Sequence, residues 1–159
     1  MATNPPPEPS ASVQKRIDPQ MHTTEHILNR TMDNMFHCGR AYSAHLERKK
    51  SKCDYHFDRA LTQDEINAVQ KAVNDVIQKK LDVTESFLPR EEAEKKVSLA
   101  RLPEESRNAE TIRIISVGDY DDCACSGPHV KNTREILGVF RLRTATLEDG
   151  FLRLRWCVK

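Results

Sequence analysis

Apolar positions recur with two clear helical periods along the chain. The first stripe, Met21, Leu28, Met32 and Met35, follows Asp18-Pro19, a capping side chain with proline at the first helical position, where its missing N–H costs nothing. This spacing predicts a helix from residue 18 to about Cys38-Gly39. The second stripe, Ile66, Val69, Val73, Val76 and Ile77, follows the capping box Thr62-Gln63-Asp64-Glu65 and runs to Lys79-Lys80. Between them, segments 40–46 and 52–57 read as short strands. DVTESFL (82–88) alternates as a strand does, and Pro89 is expected to open a short charged surface helix. ETIRIISVG (110–118) reads as a buried strand stopped by glycine. Residues 136–158 alternate about Glu148-Asp149-Gly150 and predict a hairpin. The expected fold is α+β: a mainly antiparallel sheet packed with two principal helices.

Composition adds boundaries to this pattern. MATNPPPEPSASVQKR is rich in Pro and Ser and almost free of large apolar side chains, so residues 1–17 are expected to be a disordered tail and 18–159 a single domain. The formal net charge is +1 with 31% charged residues, which rules out a global basic field, although cations cluster in ERKKSK (47–52) and along 140–159. Five cysteines at irregular spacings suggest a reduced protein rather than a disulfide framework. There is no apolar leader and no run of eighteen apolar residues, so a soluble, cytoplasmic protein without a membrane is expected.

Candidate chemistry comes from two short strings. In HTTEHIL, His22 and His26 lie one helical turn apart, so both rings project from nearly one face. In CACSGPHV, Gly127 and Pro128 disfavour a helix and predict a tight loop after a strand, which can turn Cys125 and His129 toward one point. Two imidazoles from a helix, plus a thiolate and an imidazole from a loop, form a donor set suited to Zn2+. His37, His45 and His56, and Cys38, Cys53, Cys123 and Cys157, lack paired spacing and are read as structural.

Taken together, HTTEHIL and GDYDDCACSGPHVKNTREILGVFRL resemble the editing domain of alanyl- and threonyl-tRNA synthetases, which also occurs freestanding in AlaX-like proteins. Gly118-Asp119, Cys125, His129-Val130, Asn132-Thr133, Glu135-Ile136, Gly138 and Phe140 fall at the family's motif positions, and the likeness extends over roughly residues 20–158. The resemblance implies hydrolysis of the ester joining a wrong amino acid to tRNA, foremost Ser-tRNA(Ala), with His22, His26, Cys125 and His129 as zinc ligands. Zinc could orient the aminoacyl group, polarise its ester or lower the pKa of a water. With no aminoacylation domain in the sequence, action in trans is expected, and Arg48, Lys49, Lys50 and Lys52 are candidates for contact with the tRNA acceptor stem.

Three positions depart from the family pattern. Glu25 stands where the alanyl form has a small or hydroxylated residue; it is either a general base for the attacking water or a solvent-facing helical glutamate. Pro128 brings CSGPHV closer to the threonyl type, which makes Ser-tRNA(Thr) an alternative substrate. The EILG turn is one residue longer than usual. Two rivals remain: a catalytically degenerate tRNA- or aminoacyl-binding module, and an inverted-zincin-like metallopeptidase. The second matches H-x-x-E-H but leaves Cys125 and His129 unexplained.

Overall fold

Asp18 starts the first helix as expected: its carboxylate accepts from the backbone N–H groups of Gln20 (2.8 Å) and Met21 (3.4 Å). In the computed structural model, which describes residues 17–159, this helix α1 spans Pro19–Phe36. It ends when His37 turns into the left-handed region (φ 53°), with its N–H bonded to the Asp33 carbonyl, slightly before the expected Cys38-Gly39. Every residue from Met21 to Asn29 is buried, so α1 runs through the interior and does not rest on it as an amphipathic surface helix. Its threonines therefore return their hydroxyls to the helix: Thr24 donates to the Gln20 carbonyl and Thr31 to that of Ile27. Met35 departs from the expected buried stripe, with 37% of its surface exposed as α1 leaves the core.

The chain continues through β1 (Ser43–His45), β2 (Ser51–His56), α2 (Gln63–Gln78), β3 (Val83–Pro89), α3 (Arg90–Lys96), α4 (Glu104–Arg107), β4 (Thr111–Val117), β5 (Asp121–Ala124), a 3-10 turn (Thr133–Glu135), β6 (Phe140–Glu148) and β7 (Phe151–Val158). The α+β class and the antiparallel pairing agree with the sequence pattern, but the strands divide into two sheets. Four strands pair in the order β1-β2-β7-β6 and three in the order β3-β4-β5, all antiparallel. The core lies between the larger sheet and the two long helices. Ile27, Leu28 and Met32 of α1 and Val69 and Val73 of α2 meet Tyr55, Phe140, Leu152, Leu154 and Trp156. The last two strands form the expected hairpin, with Gly150 at φ 81° in the turn.

A smaller apolar cluster, Ala93, Leu102, Ile112, Ile114 and Ala124, fastens residues 93–102 onto the three-stranded sheet. The expected surface helix after Pro89 is therefore exposed except at half-buried Arg90 and buried Ala93, and Pro89 itself ends β3 opposite Thr111. β1 is shorter than expected, running only from Ser43 to His45, although the Tyr42 N–H still donates to the Asp54 carbonyl of β2 (2.9 Å). Asn132 and Thr133 serve the fold: the Thr133 hydroxyl donates to the Ile77 carbonyl (2.9 Å) and accepts from the Leu81 N–H (3.0 Å), closing the end of α2. The additional residue of the EILG turn leaves Leu137 65% exposed. A Cβ on Gly138 would lie 2.7 Å from the Lys159 carbonyl carbon, so the close approach of the last residue requires glycine there. The expected tail lies, apart from residue 17, outside the described residues. No helix among the described residues is long and apolar enough to cross a membrane.

Candidate metal centre

His22 and His26 leave α1 from its first two turns, and β5 delivers Cys125 just beyond its last residue. Arg113 on β4 pins the following loop by donating to the carbonyls of Cys125 (2.9 Å) and Gly127 (2.8 Å), which turns His129 back toward α1. Gly127 is required by space: a Cβ there would sit 2.4 Å from Cε1 of His22. One donor atom from each of His22, His26, Cys125 and His129 falls within 4.8 Å of all the others. The Cys125 sulfur is 3.3 Å from Nε2 of His22 and 3.5 Å from Nε2 of His129. The imidazole centroids are 4.1 to 4.9 Å apart.

The outward ring nitrogens carry as much information as the inward ones. Nδ1 of His22 donates to the Pro128 carbonyl at 3.0 Å. Nδ1 of His129 bonds the Thr23 hydroxyl at 2.9 Å, and that hydroxyl also accepts from the Val130 N–H. Nδ1 of His26 has no hydrogen-bond partner and faces the Asp121 carboxylate at 3.7 Å. Each ring thus has its Nδ1 side turned to a carbonyl, hydroxyl or carboxylate, which leaves Nε2 for the centre, the arrangement that orients metal-ligating histidines.

These four residues fit zinc. A tetrahedral ion with bonds of about 2.3 Å to sulfur and about 2.0–2.1 Å to nitrogen sets its ligand atoms about 3.5 Å apart, close to the two separations measured from Cys125. Burial holds all three imidazoles in the neutral form that ligates metal: it lowers His22, lowers His26 well below the usual histidine range and takes His129 to about 2. Burial raises the Cys125 thiol, opposing a thiolate unless a cation accompanies it.

A cleft of about 700 Å3 opens beside the cluster, lined by Glu25, Arg40, Tyr42, Arg101 and Cys123 among others. Glu25 does not face solvent as one reading of its helical position suggested; it is 3% exposed. Its Oε1 accepts from Asn29 (3.0 Å) and Arg101 (3.2 Å), while Oε2 lies 3.9 Å from Nε2 of His22. Asn29 is itself fixed, because its Oδ1 accepts from the Tyr55 hydroxyl and the Ala41 N–H. Cys123 also lines the cleft, with its thiol pushed up to about 12 by burial. Cys53, expected to be structural, takes a hydrogen bond from Trp156 in the core. All five cysteines are unpaired.

None of the basic candidates is among the residues that line the cleft. Arg48, Lys49 and Lys50 are exposed in the β1–β2 connection, where Arg48 reaches to 3.9 Å from the Asp18 carboxylate; Lys52 sits on β2. Sequence reasoning did not find Asp121, Thr23 or Arg101. Thr23 had a signal, as a hydroxyl between two spaced histidines. Asp121 and Arg101 had none, since each is one charge among many in its stretch.

This geometry defines a class: an α+β domain with a four-donor His/Cys centre beside a cleft. The model of the threonyl and alanyl tRNA synthetase second additional domain matches residues 112–150, which include Cys125 and His129. The alanine–tRNA ligase of Cenarchaeum symbiosum is 31% identical over 137 residues, 85% of this chain and 15% of the ligase. That of Aeropyrum pernix is 33% identical over 142 residues, with the same two shares. That of Staphylothermus marinus is 32% identical over 108 residues, 68% of this chain and 12% of the ligase. The chain thus carries an editing-domain likeness, with its residues 112–150 matching the threonyl and alanyl tRNA synthetase second additional domain, and it spans about 15% of the length of the ligases it matches over most of its own.

Proposed function

We propose that the protein is a zinc-dependent hydrolase that cleaves the ester of mischarged tRNA in the cytoplasm, with Ser-tRNA(Ala) as its foremost substrate. The observation that carries this reading is the convergence of three imidazoles and one thiol beside a cleft, with each outward Nδ1 facing a polar group. The three relatives named above are alanine–tRNA ligases, which favours the alanyl substrate over Ser-tRNA(Thr).

His22, His26, Cys125 and His129 would hold zinc, which when bound supplies a Lewis acid to anchor or polarise the aminoacyl ester. The chain's own residues do the remainder. Glu25, with Oε1 held by Asn29 and Arg101, presents Oε2 toward the cluster and takes the proton of the attacking water. The water oxygen bonds to the ester carbon, the bond to the ribose oxygen breaks, and the proton passes from Glu25 to that oxygen. Serine can be selected over alanine only by a group that bonds its hydroxyl, since an apolar pocket discriminates weakly between them.

The test is metal analysis of the purified protein together with a deacylation panel of Ser-tRNA(Ala), Gly-tRNA(Ala), Ser-tRNA(Thr) and correctly charged Ala-tRNA(Ala). We expect stoichiometric zinc, lost in the paired His22→Ala and Cys125→Ala variant, and cleavage of Ser-tRNA(Ala) while Ala-tRNA(Ala) is spared. Bound zinc without cleavage of any substrate would replace this reading with the binding-module alternative.

A further inference from the structure

The outer face of the four-stranded sheet combines aromatic rings and cations in a way that the cleft chemistry does not use. The register aligns His56 with Phe151, Asp54 with Arg153 and Lys52 with Arg155 across β2 and β7. Side chains alternate along a strand, so these six share the face opposite the core residues Cys53, Tyr55, Leu152 and Leu154. Tyr42, just before β1, lies nearly parallel on the His56 ring, with centroids 4.3 Å apart and planes at 21°. Phe151 stands edge-on to Tyr42 at 6.3 Å, and the Arg153 guanidinium sits 5.3 Å from the Phe151 centroid while making two hydrogen bonds to Asp54. Lys52 and Arg155 have no carboxylate within ion-pair distance among the described residues. Tyr42 keeps 43% of its surface exposed and also lines the cleft that contains Glu25 and His26.

An exposed ring backed by a second aromatic and flanked by unpaired cations suits a single-stranded nucleic acid: the base stacks and the phosphates follow the charges. A protein ridge or a lipid surface would call for a contiguous apolar patch, whereas here Asp54, Arg153, Lys52 and Arg155 occupy the ladder positions beside the rings. We propose that the Tyr42–His56 stack is the platform for a base of the single-stranded RNA 3′ end as it enters the cleft, with Lys52 and Arg155 on the path of its phosphates. The direction toward the cleft rests on the hydrolase reading above; the RNA-binding face does not.

Fluorescence anisotropy with a labelled, uncharged RNA hairpin separates the two. One hairpin carries a four-nucleotide 3′ overhang and the other is blunt. The wild type should bind the overhang form more tightly. Tyr42→Ala should weaken that binding about 10-fold and leave the blunt hairpin unaffected, while Tyr42→Phe keeps the wild-type value. Lys52→Gln with Arg155→Gln should weaken both and lower the salt slope by about 1 to 2. No preference for the overhang, unchanged binding by Tyr42→Ala, or competition by a heparin fragment equal to that of the overhang RNA would overturn the platform. Deacylation of Ser-tRNA(Ala) is run alongside. Loss of overhang binding in Tyr42→Ala, even with a wild type that cleaves no ester, supports the platform and removes only the hydrolase. Cleavage by the wild type with binding unchanged in Tyr42→Ala removes only the platform.

Discussion

Two buried carboxylates flank the four-donor cluster, and their surroundings give them opposite characters. Asp121, the first residue of β5, receives Arg30 and Arg40 on Oδ1 and a second Arg40 nitrogen on Oδ2, and its side chain is wholly buried against Nδ1 of His26. Glu25 gives one oxygen to Asn29 and Arg101 and leaves the other toward His22. A carboxylate whose two oxygens are held by two guanidiniums is a rigid post. One with a free oxygen beside the site can bond a water there. The two acids share a functional group, and it is the cations around them that separate orientation from reaction.

Removing the post should have the largest effect. Asp121→Ala leaves two guanidiniums without their buried counter-charge and His26 without the group its Nδ1 faces. Urea unfolding should register a loss of about 3 kcal/mol, the lower end for a broken buried pair because Arg30 and Arg40 keep 30% and 20% side-chain exposure. Zinc affinity, measured by competition with a chelator, should fall at least about 10-fold. Stability within about 0.5 kcal/mol of wild type, a surface-like value, would end the distinction between Asp121 and Glu25. Glu25→Gln should do the reverse. Glutamine keeps an acceptor for Asn29 and Arg101, so unfolding and zinc content should barely change, while kcat for Ser-tRNA(Ala) drops about 100-fold, or about 2.7 kcal/mol of barrier. A kcat within threefold of wild type would remove Glu25 as the base.

The same contrast accounts for how far the sequence could be read. The donors were legible because chemistry imposes spacing: a helical turn sets His22 against His26, and Gly127-Pro128 forces the loop that turns Cys125 and His129 inward. The long helices and the terminal hairpin carried their own caps, stripes and turn. The strand β5 was not legible, since Asp-Asp-Cys-Ala has neither β-branched residues nor apolar alternation, and its place is set by pairing with Ile114–Val117. Because β5 was missed, the sheet could not be seen to split in two and Asp121 read as one of a charge run. Glu25 was ambiguous for a different reason. A helix buried on every side leaves no polar face from which to judge a glutamate's direction, and the partner that receives it, Arg101, lies seventy-six residues away.

Between post and base stands Gly127, which decides how close the loop comes to His22. Gly127→Ala places a methyl group 2.4 Å from Cε1 and 2.8 Å from Nδ1 of that ring, so either the ring or the loop must shift. A shift breaks the bond from His22 Nδ1 to the Pro128 carbonyl and misdirects Nε2. We expect a loss of zinc affinity of about 10-fold, as for other orienting contacts, with a stability cost of about 1–2 kcal/mol from overpacking. Unchanged zinc affinity would mean that the loop relaxes freely and that His22 is not oriented by it.

The smallest effect, and the sharpest test of the contrast, is expected at Arg101. Its guanidinium reaches Glu25 at 3.2 Å from a segment anchored by Leu102, yet its side chain is 42% exposed, so solvent screens most of the attraction. Arg101→Ala should therefore cost less than about 1 kcal/mol in unfolding, far below Asp121→Ala. Glu25 keeps Asn29 as a donor and stays in place, but it loses the only cation in ion-pair contact with it among the described residues. The kcat for Ser-tRNA(Ala) should change by only a few-fold, and zinc content not at all. A stability loss equal to that of Asp121→Ala would show that Glu25 is also a buried ion pair in the structural sense, and the two carboxylates would then differ in neighbours but not in role.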